Sequence, residues 1–151
     1  MDDAGQSVPL TAEARGEAGP FSPDPALYVC LGASAGGLEA LDVFFTNMAS
    51  GSGLAFIVVQ HLSPDYKSMM VELLSKRTAM NIQRAEEGCV VQPDSIYLIP
   101  PKKNLAIFHG RLLLQDQNRA KGVNLPIDIF LRSLADDQGG RSVAVILSGT
   151  G

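Results

Sequence analysis

A glycine-rich hexapeptide, Gly32–Gly37, separates a short apolar run from a stretch with helical periodicity. The apolar run, Tyr28–Leu31, predicts a strand, and Leu38–Met48 places its large apolar residues on one face of a helix. A strand, a tight turn and a helix in this order are typical of a β-α-β unit, which requires a parallel sheet. The turn also carries Ser34 in the pattern G-x-S-x-G. It therefore predicts either an anion-binding helix N-terminus or a serine nucleophile held at the edge of a sheet.

The rest of the chain repeats this alternation, so we predict a mostly parallel, doubly wound (Rossmann-like) three-layer α/β fold with an inserted β-hairpin. Leu54–Val59 is a continuous apolar run, as expected of a strand buried on both faces. Residues 66–77 predict a second helix whose inward residues are Met69, Met70, Leu73 and Leu74. The remaining predictions are strands at 82–85 and 95–99, a hairpin over 105–114, a helix over 126–135 and a buried strand over 143–147.

The first residues differ in composition from the rest of the chain. Residues 1–25 hold five acidic side chains, one arginine and four of the nine prolines, without periodicity. We therefore predict a disordered acidic leader over residues 1–26 and one folded domain over residues 27–151. The other 126 residues carry 11 acidic and 11 basic side chains, so nothing in this composition predicts the basic stripe of a nucleic-acid-binding protein.

The sequence also predicts where such a protein resides. It contains no apolar run long enough to span a membrane and no signal-peptide pattern, so no membrane insertion is expected. Its two cysteines, Cys30 and Cys89, stand in unrelated contexts, which favours reduced thiols over a disulfide. A cytoplasmic location follows as an expectation.

Two side chains suited to nucleophilic catalysis follow the first two predicted strands. Ser34 stands after the first strand, and His61 stands after Leu54–Val59 and Gln60. If these parallel strands are neighbours about 4.8 Å apart, Ser34 Oγ and the His61 imidazole emerge at one edge within hydrogen-bonding reach. The histidine could then accept the serine proton, and backbone N–H groups of Ala35 and its neighbours could stabilise an oxyanion.

Each part of this site also has a simpler interpretation. The glycine-rich turn can serve tight packing alone, and an isolated histidine is more often structural than catalytic. No carboxylate is positioned to orient the imidazole, because the nearest candidates fall on predicted helices or at their ends: Asp65, Asp128, Asp136 and Asp137. A nucleotide-binding domain is disfavoured, since Ser34 replaces the middle glycine of G-x-G-x-x-G and Gln60-His61 replaces the ribose-binding acid.

Taken in order, the motifs of the chain resemble the catalytic domain of the chemotaxis protein-glutamate methylesterases (CheB). The resemblance covers residues 28–151 and is carried by Gly32–Gly37, Gln60-His61, Glu86-Glu87-Gly88, Ile99-Pro100-Pro101 and Leu147–Gly151. The amino-acid sequences at residues 61–65, 101–105 and 125–128 look most like those of the methylesterase domains that are fused to a chemotaxis methyltransferase.

This resemblance implies hydrolysis of glutamate γ-methyl esters on chemoreceptor helices, with release of methanol, and in related enzymes deamidation of receptor glutamines. It matches Ser34 to the nucleophile and His61 to the general base, and it puts Ala35, Gly36 and Thr150 on the loops of the oxyanion site. It implies no cofactor and no metal. Methylated chemoreceptor helices are the implied substrate, and a fused or separate methyltransferase domain is a further implied partner.

The resemblance also predicts that the domain is incomplete at its C-terminus. The aspartate of the family comes two residues beyond the glycine matched by Gly151, where this sequence stops. An alternative function therefore stays open at this point. It is a catalytically impaired signalling or interaction module with the same fold, which would bind partners without turnover.

Overall fold

The computed structural model of the protein describes residues 23–34, 37–60, 67–118, 120 and 122–147. Residues 1–22 of the predicted leader lie outside the described residues. The described helices are α1 (Leu38–Asn47), α2 (Lys67–Ser75) and α3 (Pro126–Gln138). The described strands are β1 (Tyr28–Ala33), β2 (Ala55–Gln60), β3 (Asn81–Arg84), β4 (Ser95–Leu98), β5 (Lys103–Phe108), β6 (Arg111–Asp116) and β7 (Ser142–Leu147). Of the helices in these ranges, none is long and apolar enough to cross a bilayer.

Five of the strands form a parallel sheet in the order β3-β4-β2-β1-β7. The other two, β5 and β6, pair with each other as an antiparallel hairpin. The chain passes from β1 to β2 on one side and comes back to the other side of β1 as β7, so the strand order reverses at β1. Ligands of open α/β sheets bind at the carboxyl ends of the strands at such a reversal. The predicted fold class and the inserted hairpin are confirmed.

The side chains of β1 alternate between two apolar cores, because successive residues of a strand point to opposite faces of the sheet. The core on the side of α1 and α2 includes Val29, Leu31, Leu41, Phe45, Met70 and Leu74. The core on the side of α3 and the hairpin includes Tyr28, Cys30, Leu105, Leu112, Phe130 and Leu134. Burial on both faces explains why β1 and the first five residues of β2 contain no charged side chain and are mostly apolar.

The structure contradicts two predictions of burial. The segment over 143–147, which was predicted as a buried strand, forms most of β7. This strand lies at the edge of the described sheet, and its Ile146 is 64% exposed. Among the described strands β7 has β1 as its only neighbour, so little packs over its outer half. Met69 on α2 was predicted to point inward and is 52% exposed, whereas Met70 and Leu74 are buried. One residue is a rotation of about 100° around a helix, which turns Met69 away from the stripe that contains Met70 and Leu74.

The hairpin is attached to α3 through the carboxylate of Asp137. One carboxylate oxygen accepts the backbone N–H of His109 at 2.6 Å, and the other accepts that of Gly110 at 3.0 Å and the side-chain amide of Gln138 at 2.7 Å. His109 and Gly110 both have positive φ, of 49° and 69°, as the central residues of a type I′ hairpin turn require. The carboxylate therefore binds both N–H groups of the turn and holds the hairpin against the last turn of α3.

This attachment predicts a pH-dependent contribution to stability. Partial burial raises the pKa of Asp137, but the hydrogen bonds from Gly110, Gln138 and His109, with the charge of His109, bring the pKa below its ordinary value of 3.8. The contribution is complete above the unfolded-state pKa of about 4 and is lost as the pH falls through the lower folded-state pKa. We expect Asp137→Asn to lower the free energy of unfolding by about 1 kcal/mol at pH 7, after allowance for solvent screening.

Urea unfolding of wild type and Asp137→Asn measures this difference between about pH 7 and about pH 2, where it should shrink because the wild-type carboxyl becomes neutral. The matched control is Asp136→Asn, since Asp136 is the exposed neighbour on the same helix turn. This substitution should leave the free energy of unfolding almost unchanged. A difference that stays constant over the whole pH range would contradict the role given to the Asp137 charge.

Candidate active site

Ser34 lies at the carboxyl edge of the sheet, directly after the last residue of β1. Ala33 pairs in register with Gln60, the last residue of β2, and with Leu147, the last residue of β7. The three strands therefore end level with one another, with β1 in the middle. The first two strands are parallel neighbours, which was the condition set for bringing Ser34 and His61 together. These two residues directly follow the last residues of the two strands in the sequence.

Only one of the predicted site residues is within the part of the chain that the structure describes. That residue is Ser34. The others lie outside the described residues: Ala35, Gly36, His61 and Thr150. Asp65 lies outside them too. The role given to each of them stays a prediction.

The polar atoms of Ser34 are in two different situations. Its backbone carbonyl accepts the N–H of Gly37 at 2.8 Å, which closes a tight turn before α1, and the side-chain amide of Gln60 at 3.4 Å. Its hydroxyl oxygen is buried and has no hydrogen-bond partner among the described residues. A buried hydroxyl without a partner opposes folding. The backbone of Ser34 is thus held in place, while no group in the described ranges binds its hydroxyl, which suits a side chain that acts on a ligand.

Two glycines of the motif are explained by close packing. A Cβ added at Gly32 would lie 2.9 Å from Cδ1 of Ile146 and 3.0 Å from Cγ2 of Ile127, so the glycine lets α3 and β7 approach β1 closely. A Cβ added at Gly37 would lie 2.5 Å from Cβ of Ala33 and 3.0 Å from the Ser34 carbonyl oxygen. The packing interpretation of the glycine-rich turn is therefore correct for Gly32 and Gly37. It does not account for the hydroxyl of Ser34.

The helix that follows the turn adds a positive electrostatic potential. Gly37 is the N-cap residue of α1, and no side-chain hydrogen bond caps this end among the described residues. The N–H groups of a first helical turn lack partners within the helix, and they form the positive end of the helix dipole. The N-terminus of α1 therefore lies three residues after Ser34 and can stabilise negative charge that develops beside the serine.

Two described groups with acid or nucleophile chemistry, Cys30 and Asp137, are not arranged to act with Ser34. Burial raises the pKa of the Cys30 thiol to about 12, so this cysteine is protonated at neutral pH and is not a competing nucleophile. Asp137 shares a small polar cavity with Tyr28, the first residue of β1, at the end of the strand opposite to Ser34. Asp128 is exposed in the first turn of α3. The position of Asp137 agrees with the prediction that this carboxylate does not serve the serine.

Gln60 is a contact of Ser34 for which the sequence predicted no part in the chemistry. It ends the all-apolar run of β2, and it is only 4% exposed. A glutamine at the carboxyl end of a strand that is otherwise apolar is a visible sequence signal. Its partner is not visible, because the amide reaches a residue 26 positions earlier in the chain.

The family model described as CheB methylesterase matches residues 29–151 of the chain. Among curated proteins, the chain is similar to protein-glutamate methylesterase/protein-glutamine glutaminase 2 of Xanthomonas oryzae pv. oryzae (strain MAFF 311018), with 32% identity over 127 residues. It is also similar to the protein of the same name from Burkholderia orbicola (strain AU 1054), with 30% identity over 152 residues. These matches cover 82% and 100% of this chain but 35% and 43% of the relatives. The chain thus spans less than half the length of these relatives.

A solved structure shows the same fold. The crystal structure of the Thermotoga maritima CheB methylesterase catalytic domain superposes with a TM-score of 0.73 at 26% sequence identity. The match covers 83% of this chain and 69% of that chain.

The tight turn at Ser34 predicts a steric effect of substitution at Gly37. We expect Gly37→Ala to lower the free energy of unfolding by about 1–3 kcal/mol, because the new methyl group meets Ala33 and backbone that cannot move aside. Urea unfolding provides the measurement. Gly140→Ala is the matched control, because a Cβ there meets no atom within 4 Å and the backbone φ is not left-handed. Equal stability of the two variants would show that the turn has more room than this packing implies.

Proposed function

The chain belongs to the CheB methylesterase family, and from this premise we propose that it carries the nucleophile of a protein-glutamate methylesterase. The proposed reaction is hydrolysis of glutamate γ-methyl esters on chemoreceptor helices, which yields glutamate and methanol. Deamidation of glutamine is included in the proposal, since the names of the relatives carry both activities. Both reactions transfer an acyl group to water and can use the same serine.

One observation carries this proposal. The Ser34 hydroxyl is buried and without a described partner, on a backbone that is fixed at the carboxyl end of the central strand. A serine used only for packing or for capping would have its hydroxyl hydrogen-bonded. The point where the strand order reverses is also where α/β sheets bind their ligands.

The proposed mechanism has two acyl-transfer steps. Ser34 Oγ attacks the ester carbonyl carbon while His61 accepts the serine proton. The backbone N–H of Ala35 and the N–H groups at the N-terminus of α1 stabilise the oxyanion of the tetrahedral intermediate. The intermediate expels the methoxy group, which leaves as methanol with the proton that His61 held. Water then attacks the acyl-serine with His61 as the base, and the glutamate carboxylate and the free serine are released.

The proposal extends to partners, place and domain division. Methylated chemoreceptor helices would be the substrate, and the cytoplasm would be the site of action. A methyltransferase domain, fused or separate, would supply the esters, as the spellings of residues 61–65 and 125–128 suggest. The division into a leader over residues 1–26 and a domain over residues 27–151 is supported by a family match that begins at residue 29.

The proposed role of Ser34 predicts that Ser34→Ala abolishes methanol release from methylated receptor. The loss in kcat should be on the order of 10⁴-fold or more, because alanine offers no nucleophile while the N–H groups of α1 remain. Release of labelled methanol is measured with the full-length protein and methylated receptor membranes.

Ser75→Ala is the matched control, since Ser75 is exposed at the end of α2 and its hydroxyl donates to the Glu72 carbonyl of its own helix. A serine-directed phosphonate should label wild type and Ser75→Ala and fail to label Ser34→Ala. Wild-type rates of methanol release from Ser34→Ala would remove this serine from the mechanism. Binding of methylated receptor without any methanol release by wild type would point to the non-catalytic module instead.

A further inference from the structure

Gln60 is a buried polar side chain whose hydrogen bonds are incomplete. The buried polar residues of the described chain are Gln60, Ser95 and Asn104. Ser95 donates to the Pro93 carbonyl, and the Asn104 amide exchanges two hydrogen bonds with the amide of Asn124. Gln60 makes one long contact, and its side-chain oxygen has no hydrogen-bond partner among the described residues. It thus differs from the other two in that half of its amide has no partner within the described ranges.

The one contact of the Gln60 side chain is with the backbone of Ser34. Nε2 of Gln60 donates to the Ser34 carbonyl at 3.4 Å, and the Gly37 N–H donates to the same oxygen at 2.8 Å. Exchange of the amide oxygen and nitrogen would set two acceptors against each other, so the carbonyl determines which end of the amide faces Ser34. The Ser34 carbonyl therefore accepts one hydrogen bond from its own turn, donated by Gly37, and one from the neighbouring strand, donated by Gln60.

Holding this carbonyl also orients the rest of its peptide group. The peptide unit is planar and trans, so the N–H that follows the carbonyl points away from it. In serine hydrolases with a G-x-S-x-G turn, the N–H directly after the nucleophile is a donor to the oxyanion. A donor of this kind works only if it is aimed in advance at the place where charge develops. The amide of Gln60 is in a position to set that direction without touching the substrate.

We propose that Gln60 is a positioning residue for the hydrolytic step, and that its carboxamide fixes the peptide after Ser34 in the orientation that receives the oxyanion. The proposal rests on the proposed function of Ser34 as the nucleophile. It explains why a polar side chain ends an apolar strand at a place where an apolar one would pack without unpaired atoms. Buried groups left unpaired are expected at functional sites and not elsewhere in a well-packed fold.

The test is Gln60→Met in the full-length protein, because methionine has a similar shape and neither donates nor leaves an unpaired oxygen. We expect kcat for methanol release to fall about 10- to 100-fold, less than the loss of a whole oxyanion donor, with KM changed less than about twofold. The melting temperature should be equal to or above that of wild type, because a buried unpaired oxygen is removed. A kcat within about twofold of wild type, or a lower kcat with a matching loss of stability, would overturn the proposal.

Asn104→Leu is the matched control, since it removes a buried amide whose hydrogen bonds are complete and leaves Asn124 without its partner. It should lower the melting temperature and leave kcat close to wild type. The opposite pattern in the two variants separates positioning from stability, which a purely structural role for Gln60 would not produce.

A second readout keeps this proposal apart from the choice of substrate. A phosphonate that reacts with activated serines carries an oxygen that occupies the oxyanion position, so its labelling of Ser34 should be about 10-fold slower in Gln60→Met. If wild type is labelled but releases no methanol from methylated receptor, the proposed substrate fails and the labelling rates still decide the role of Gln60. If methanol release is normal in both proteins, the role of Gln60 fails and the proposed function stands. Absence of labelling in wild type would overturn both.

Discussion

The hydrogen bonding of β1 to a parallel strand on each side is the constraint on which the rest of the structure depends. Because β2 and β7 pair with it in register, the three strands end level, and Ser34 directly follows the middle one. Burial of β1 on both faces disfavours polar side chains over the four residues that precede Ser34, Cys30–Ala33. At the carboxyl end of the strand, the first position where a hydroxyl occurs is the one that Ser34 occupies.

Close packing and chemistry are divided among the residues of the turn. Gly32 admits the isoleucines of α3 and β7, and Gly37 lets the chain fold back on Ala33, so both glycines serve the approach of neighbouring elements. The serine between them gains a fixed backbone from this packing, and its side chain remains unpaired among the described residues. A rigid backbone suits a nucleophile, since the geometry of attack is set in advance.

The sequence predicted the parts of the structure that depend on local pattern, and it did less well where distant neighbours decide. The apolar runs of β1 and β2, the periodicity of α1 and the turn at His109-Gly110 all carry their signal within a few residues. The apolar run of β7 is equally clear, but its burial depends on how many strands lie beside it, which the run itself does not encode. The attachment of Asp137 to the hairpin joins residues 27 and 28 positions apart, and the contact of Gln60 with Ser34 joins residues 26 apart. Such pairs have no periodic signature in the sequence. The sequence does show a polar residue at the end of each apolar strand, Ser34 after β1 and Gln60 at the end of β2.

The enclosed thiol of Cys30 has a consequence for how the neighbourhood of the serine responds to oxidants. The thiol lies four residues before Ser34, is fully enclosed in the core beneath α3, and stays protonated at physiological pH. Peroxide attacks thiolates that solvent can reach, so sulfenic acid does not form readily at this position. Oxidative stress therefore has no route to the serine through Cys30, and the reactivity of the turn is insulated from the redox state of its surroundings on that side.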